Sequence, residues 1–379
     1  MKRTSTVLVI WLAIVGVAVG VALAQGQGGE AAAPPAAATA EAQPQDPLFQ
    51  VASGLFAPLP EVVDDAARPV TDEKVELGKM LWYDTRLSLS GGFSCNSCHN
   101  LATYGVDNLP TSLGHGWAIG PRNAPTALNA ALHATQFWDG RAADVEAQAQ
   151  GPILNPIEMG TPSAEFATER IASIPTYVEL FERAFPGEEQ PLTYENIANA
   201  IASFERTLTT PARFDDYLAG DLDALDDLEK EGLQVFINTG CAGCHNGAAL
   251  GGNTLQRFGV VESYWEATRD YVTVDSPTMP MDVGRFAVTH DESDLYVFKV
   301  PSLRNITRTY PYFHDGSVWS LEDATQIMAR VQLGRELSAQ ELDALMAFYG
   351  TLEGEIPAHA LQLPVLPAST QATPKPDFR

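Results

Sequence analysis

Apolar residues recur every three or four positions in two stretches of the chain, and each stretch reads as a helix. In the first, Ile197, Ile201, Phe204 and Leu208 fall on one face. In the second, Leu342, Leu345, Tyr349 and Leu352 do the same, with Ser338 and Glu341 as a capping box ahead of them. The N-terminus departs from this pattern. Val7 to Val21 is almost wholly apolar behind Lys2 and Arg3, and Ala22-Leu23-Ala24 follows as an A-x-A cleavage pattern. The run is long for a signal peptide and borderline for a membrane span, so residues 1–24 read as a signal peptide or an N-terminal membrane anchor. Residues 25–47 are rich in Ala, Pro and Gly, cannot bury a core, and read as a flexible linker. In either case the folded part lies outside the cytoplasm.

The two helical stretches close two copies of a longer pattern. Pro125-Thr126-Ala127-Leu128-Asn129 parallels Pro301-Ser302-Leu303-Arg304-Asn305, and Asp139-Gly140 parallels Asp315-Gly316 at the same distance from each proline. Val145-Glu146 then lies over Leu321-Glu322, and Gln150 over Gln326. The chain reads as two related, mostly helical modules in tandem, with long Gly/Pro-rich loops. They span 48–210 and 211–355, and a tail, 356–379, is free to fold back on the first. With 379 residues, 45% of them hydrophobic, there is enough apolar material for two cores. A formal charge of -25 sets nucleic acid aside as a partner. It suits a basic protein or a small neutral substrate, or it serves solubility alone.

All four cysteines sit in two short segments, "FSCNSCHN" ending at Asn100 and "TGCAGCHN" ending at Asn246. Exported cysteines usually pair as disulfides, and Cys-x-x-Cys can also be a redox couple or half a zinc site. The histidine directly after each pair shifts the reading, because Cys-x-x-Cys-His is the attachment sequence of c-type haem. Two thiols add to two vinyl groups, and the adjacent imidazole is placed to ligate the iron. Two copies, no spare cysteine and an export signal predict two covalently bound haems. Cys95, Cys98, Cys241 and Cys244 would hold them, with His99 and His245 as proximal ligands. The expected fold is mostly α, with two tandem cytochrome c-like haem domains and long loops.

The repeat breaks at one informative place. Met328 of the second module stands where the first has Pro152. A thioether opposite His245 would raise that haem's potential and suit electron entry; the plain alternative is a core methionine on a helix. Met279 and Met281 are rivals in a Pro-rich loop. Lacking a methionine there, the first haem takes another sixth ligand or keeps an open site for a small oxidant. His115, in Gly114-His115-Gly116-Trp117, has the backbone freedom to bind in one state and swing away in another, or is an ordinary loop histidine. His133, His290 and His359 read as ordinary polar residues, while His314 matches Trp138 in the repeat near the seam between modules. Splitting a peroxide needs a group that moves a proton. Glu158 lies in an apolar, Pro-bounded stretch where burial would raise its pKa. Gln148, on the preceding predicted helix, is a neutral hydrogen-bonding candidate; most residues of either type are simply solvated.

The stretches "CNSCHN", "GHGW", "GPRNAPTALN", "QFWDGRAAD", "IEM", "GCAGCHNG" and "FKVPSLRNITRTYPYFHDG", with the later Met328, run in order through nearly all of the chain after the linker. In residues and spacing they resemble the bacterial di-haem cytochrome c peroxidases. The resemblance implies that His115 is the distal ligand that leaves the peroxidatic haem when the other haem is reduced. It implies that Gln148 and Glu158 position and cleave hydrogen peroxide, that Trp138 lies on the electron route between the haems, and that Met328 is the sixth ligand of the high-potential haem. Asn123, Thr309 and Pro311 match an inter-module calcium site built largely of backbone oxygens and water; calcium prefers oxygen donors. A periplasmic homodimer, soluble or tethered, fed by a small cytochrome c or copper protein, is the further implication. A relative that matures a tryptophan-derived cofactor has tyrosine where this chain has Met328, which favours the peroxidase. The competing expectation is a di-haem electron carrier, whose two irons would stay six-coordinate.

Overall fold

The computed structural model describes residues 46–271 and 281–378. The leader at 1–24, the linker up to residue 45 and Met279 lie outside these residues. The last two positions of the predicted linker, Asp46 and Pro47, are the cap and the first residue of a helix. Asp46 accepts from the Phe49 amide and Pro47 opens helix α1 (Pro47–Leu55), where proline's missing N–H costs nothing. Among the described residues no helix is long and apolar enough to cross a membrane.

The molecule is mostly helical. Helices α2 (Asp72–Tyr83), α3 (Val145–Leu154), α4 (Ala164–Ala172), α5 (Pro175–Ala184) and α6 (Tyr194–Glu205) surround one core. Helices α7 (Arg213–Leu218), α8 (Asp227–Thr239), α9 (Leu321–Leu333) and α10 (Ala339–Gly350) contribute to a second. Strand β1 (Leu255–Arg257) pairs antiparallel with β2 (Val297–Lys299), with Leu255 opposite Lys299. A smaller cluster around Phe258, Tyr264, Phe298 and Tyr312 has Trp138 and Met328 packed against it.

Each main core is built on one close helix crossing. Where α2 meets α6, a Cβ on Gly78 would lie 1.8 Å from the Ala200 carbonyl oxygen. Where α8 meets α10, a Cβ on Gly232 would lie 1.9 Å from the Ala344 carbonyl oxygen. Mid-helix glycine is intrinsically unfavourable by roughly 1 kcal/mol relative to alanine, so close packing is what these positions gain. The stripes anticipated from periodicity are the buried faces here. Ile197, Ile201, Phe204 and Leu208 enter the first core; Leu345, Tyr349 and Leu352 enter the second, with Leu342 partly buried against it. Thr193 caps α6, and Ser338 with Glu341 forms the reciprocal box ahead of α10.

The chain ends cross over between the cores. α1, at the start of the predicted first module, sends Phe49, Ala52 and Phe56 into the second core. Phe56 meets Phe214 edge-on at 5.5 Å, Phe49 meets Tyr217 at 5.8 Å, and the Leu59 amide donates to Asp215 at 2.7 Å. The tail lies on the first core instead. Ala360 is buried there, the Tyr83 hydroxyl donates to the Ala360 carbonyl at 2.9 Å, and Arg86 donates to the Pro367 carbonyl at 2.8 Å.

Candidate active site

Ser94 caps the single turn Cys95–Cys98, which sets both thiols and His99 on one short element. His99 Nδ1 lies 2.9 Å from the carbonyl of Pro125, the proline that opens the first repeat motif. A carbonyl only accepts, so Nδ1 carries the proton and Nε2 keeps its lone pair for a metal. In the second module His245 Nδ1 lies 3.2 Å from the Leu250 carbonyl, and Pro301, the counterpart of Pro125, lines the same pocket. Burial lowers the pKa of His99 and takes that of His245 to about 4, so both rings are neutral, as ligation requires.

The cysteines are free and partly buried. Burial pushes the Cys98 thiol up to about 11 and raises the other three. Such thiols are poor redox nucleophiles. Among the described residues no three His, Cys, Asp or Glu side chains converge on a metal-sized site. Neutral thiols beside a metal-ready imidazole, twice over and each in a pocket of its own, fit covalently attached haem.

The first pocket is lined by Cys95, Cys98, His99, Gln148 and Glu158. Gln148 comes from α3. Just past that helix, the Glu158 and Gly160 amides both donate to the Asn155 carbonyl, and this turn brings Glu158 to the pocket. Asn155 Nδ2 donates to Glu158 Oε1 at 2.8 Å. Burial raises the pKa of Glu158 against the opposing pull of Arg141 and Asn155.

His115 is not part of this wall. The Leu113–Ile119 bridge folds its segment into a tight hairpin, and its amide donates to the Glu158 carbonyl at 2.7 Å. The ring packs on Gly160, where a Cβ would lie 2.7 Å from His115 Cγ. Its Nδ1 is buried without a partner. The expected distal ligand thus stands off the pocket in this conformation, held by backbone pairing that the side-chain pattern does not reveal.

The same pocket holds residues that sequence reasoning missed. Trp82 and Glu205 line it, and Trp82 Nε1 and Glu205 Oε2 are buried with no partner. Burial, with Glu146 adding to it, pushes Glu205 up to about 8. Its signal was a charged residue one turn beyond Ile201 on the apolar stripe of α6. Met159 and Met281 also line this pocket, so Met281 stands at the first pocket and not, as a rival of Met328 would, at the second.

The second pocket is lined by Cys241, Cys244, His245, Met328 and Lys299. Met328 is carried by α9, the counterpart of α3, which carries Pro152 at the first pocket.

Trp138 and His314, matched in the repeat, line both pockets. Their rings meet edge-on at 6.3 Å, and Trp138 Nε1 donates to the Asn123 carbonyl at 2.9 Å. The Asn123 amide donates in turn to the His314 carbonyl at 2.8 Å. Arg122 spans the seam, pairing with Asp139 at 2.6 Å and with Asp282 at 2.6 Å. Of the candidate calcium residues, Asn123 lines the first pocket, while Thr309 and Pro311 line neither. They flank Tyr310, whose carbonyl accepts from Asn108 at 2.8 Å, close to where Asn123 Nδ2 donates to the Leu109 carbonyl at 2.9 Å.

Comparison with known proteins places this geometry in a family. The family model for di-haem cytochrome c peroxidase matches residues 72–223. Cytochrome c551 peroxidase of Pseudomonas aeruginosa is 47% identical over 334 residues, which cover 87% of this chain and 93% of that protein. Cytochrome c551 peroxidase of Nitrosomonas europaea is 47% identical over 311 residues, covering 82% of this chain and 88% of that one. Among solved structures, a MauG-like protein associated with microbial copper homeostasis superposes with a TM-score of 0.68 at 28% identity, covering 81% of this chain and 97% of the other. With paired Cys-x-x-Cys-His pockets and relatives of this identity along nearly their whole length, the chain belongs to the di-haem cytochrome c peroxidase family and is an oxidoreductase.

Proposed function

We propose that this protein reduces hydrogen peroxide to two waters with electrons from a small soluble redox protein, a cytochrome c or a copper protein. The observation that carries the reading is the wall of Trp138 and His314 between two haem-ready pockets of unlike chemistry. One offers an amide and a buried acid, the other a thioether. Haem, bound in each pocket, would supply electron storage and an iron centre suited to peroxide reduction. Cys95, Cys98 and His99 would hold it in the first module (48–210), and Cys241, Cys244, His245 and Met328 in the second (211–355).

Gln148 orients the peroxide by hydrogen bonding. Glu158, ionised when peroxide enters, takes the proton of the near oxygen and gives it to the far one, which leaves as water. Hydrogen peroxide, two electrons and two protons yield two waters. Trp138 carries electrons from the second pocket to the first. His115 acts as a gate: Gly114 and Gly116 let its hairpin move between the place it occupies against Gly160 and one facing His99. Asn123, Thr309 and Pro311 offer oxygens to a calcium ion at the seam. The acidic surface draws in a basic donor, and the leader sends the enzyme to the periplasm, where it pairs as a homodimer.

The test is stepwise reduction of the full protein with calcium present. At half-reduction a high-spin absorption signal is expected, and added peroxide should then oxidise a reduced cytochrome c. Two irons that stay low-spin, with peroxide ignored, would make the protein an electron carrier and remove Gln148 and Glu158 from any mechanism.

A further inference from the structure

Lys299 ends β2 and forms part of the second pocket's wall. It is 4% exposed, and among the described residues its ammonium has one protein partner, His133 Nδ1 at 2.9 Å. An ammonium only donates, so Nδ1 accepts and the proton of His133 sits on Nε2, which is buried without a partner. The fold makes room for this pair. Gly252 adopts a φ of +78°, and a Cβ there would lie 2.1 Å from His133 Cδ2. The Lys299 amide donates to the Trp138 carbonyl at 2.7 Å, which fixes the lysine to the wall shared by both pockets.

The charged groups on the surrounding elements are committed elsewhere. Asp139, beside Trp138, pairs with Arg122 and Arg141. Arg285 bonds the Asp139 and Gly140 carbonyls and pairs with Asp294. His314, on the pocket wall, faces Asp282 at 3.9 Å. Among the described residues no carboxylate pairs with Lys299, and two of its three N–H groups have no acceptor. A buried ammonium in that state calls for an anion.

We propose that Lys299, backed by His133, is the carboxylate-binding residue of the second pocket: its ammonium pairs with a propionate of the haem attached at Cys241 and Cys244 and links that haem's electron to a proton. The proposal rests on the second pocket being the electron-accepting haem site. The electron goes to the iron, and a proton from solvent goes to the amine of Lys299, forming one N–H bond and breaking none in the protein. Burial alone brings the ammonium down to about 8, a propionate beside it pulls it back up, and negative charge arriving in the pocket holds the proton on more firmly.

The experiment is a spectroscopic redox titration of the second haem in the intact holoprotein between pH 6 and 10. The native midpoint should fall as pH rises, by at most about 59 mV per unit, the one-electron equivalent of a tenfold change. Lys299→Met should show a lower midpoint at pH 6 and no slope. Lys299→Arg, charged but not titrating, should keep the high midpoint without the slope. The thioethers retain haem in every variant, so attachment is checked from the same spectra. A Lys299→Met protein that tracks the native midpoint at every pH overturns the proposal, as does a native midpoint that is flat with pH. Peroxide turnover by the native enzyme reports separately on the proposed function: turnover with a flat midpoint overturns only the present proposal, and a sloped midpoint without turnover sinks only the peroxidase reading.

Discussion

Glu158 is fitted to its proposed task by where it is kept rather than by what it is. A carboxylate in water holds its proton too weakly to return it to a leaving oxygen. Burial strengthens that hold, while Asn155 and Arg141 keep the ionised form accessible. Glu158→Gln should retain both haems, seen by absorbance, and slow peroxide turnover by about 100- to 10,000-fold. The native enzyme should lose activity as pH falls, because protonation removes the base, and the raised pKa places that loss above the ordinary glutamate range. The Gln variant should show no such acid limb. Glu158 stood out as a candidate in the sequence because its local pattern is unusual: an acid among prolines and apolar residues. Glu205, more deeply buried, escaped notice because its neighbours made an ordinary helix stripe, and only the fold shows which side of α6 meets the pocket.

At the scale of elements, glycines at the two crossings and a glycine in open space predict unequal outcomes for the same substitution. Gly78→Ala or Gly232→Ala puts a methyl group into a carbonyl oxygen of the facing helix and must push the helices apart. A cost at or above the roughly 1–3 kcal/mol usual for overpacking is expected, read as a lowered thermal midpoint. Gly54→Ala, in α1 with open space around it, should instead stabilise by about 0.5–1 kcal/mol. If Gly78→Ala left the midpoint unchanged, the close crossing would not be what organises the first core. α6 and α10 could be read from sequence because each buries one continuous face. The register that sets Met328 over Pro152 worked for a related reason, since α9 and α3 carry these residues to equivalent walls. The His115 hairpin and the seat of α1 could not be read. Backbone pairing between Leu113 and Ile119 leaves no side-chain period, and Phe49, Ala52 and Phe56 announce a helix without saying which core it joins.

The whole molecule is defined by its charge and by how its ends are stowed. A formal charge of -25 should steer a Lys-rich donor toward the surface. Oxidation of such a cytochrome should slow steeply as ionic strength rises toward 1 M, where the screening length is about 3 Å. Oxidation of a small neutral reductant should hardly change. Equal salt sensitivity for both would remove the acidic surface from donor selection. The stowed ends bear on assembly in time. Phe49, Ala52 and Phe56 wait for a core whose other fully buried members lie beyond residue 213, while Ala360 and the helical turn around it complete a core begun at Leu77. A cut between the modules would therefore leave each half holding a piece the other lacks, and neither should fold cleanly unless both are present. A chain made from its N-terminus finishes its first module last.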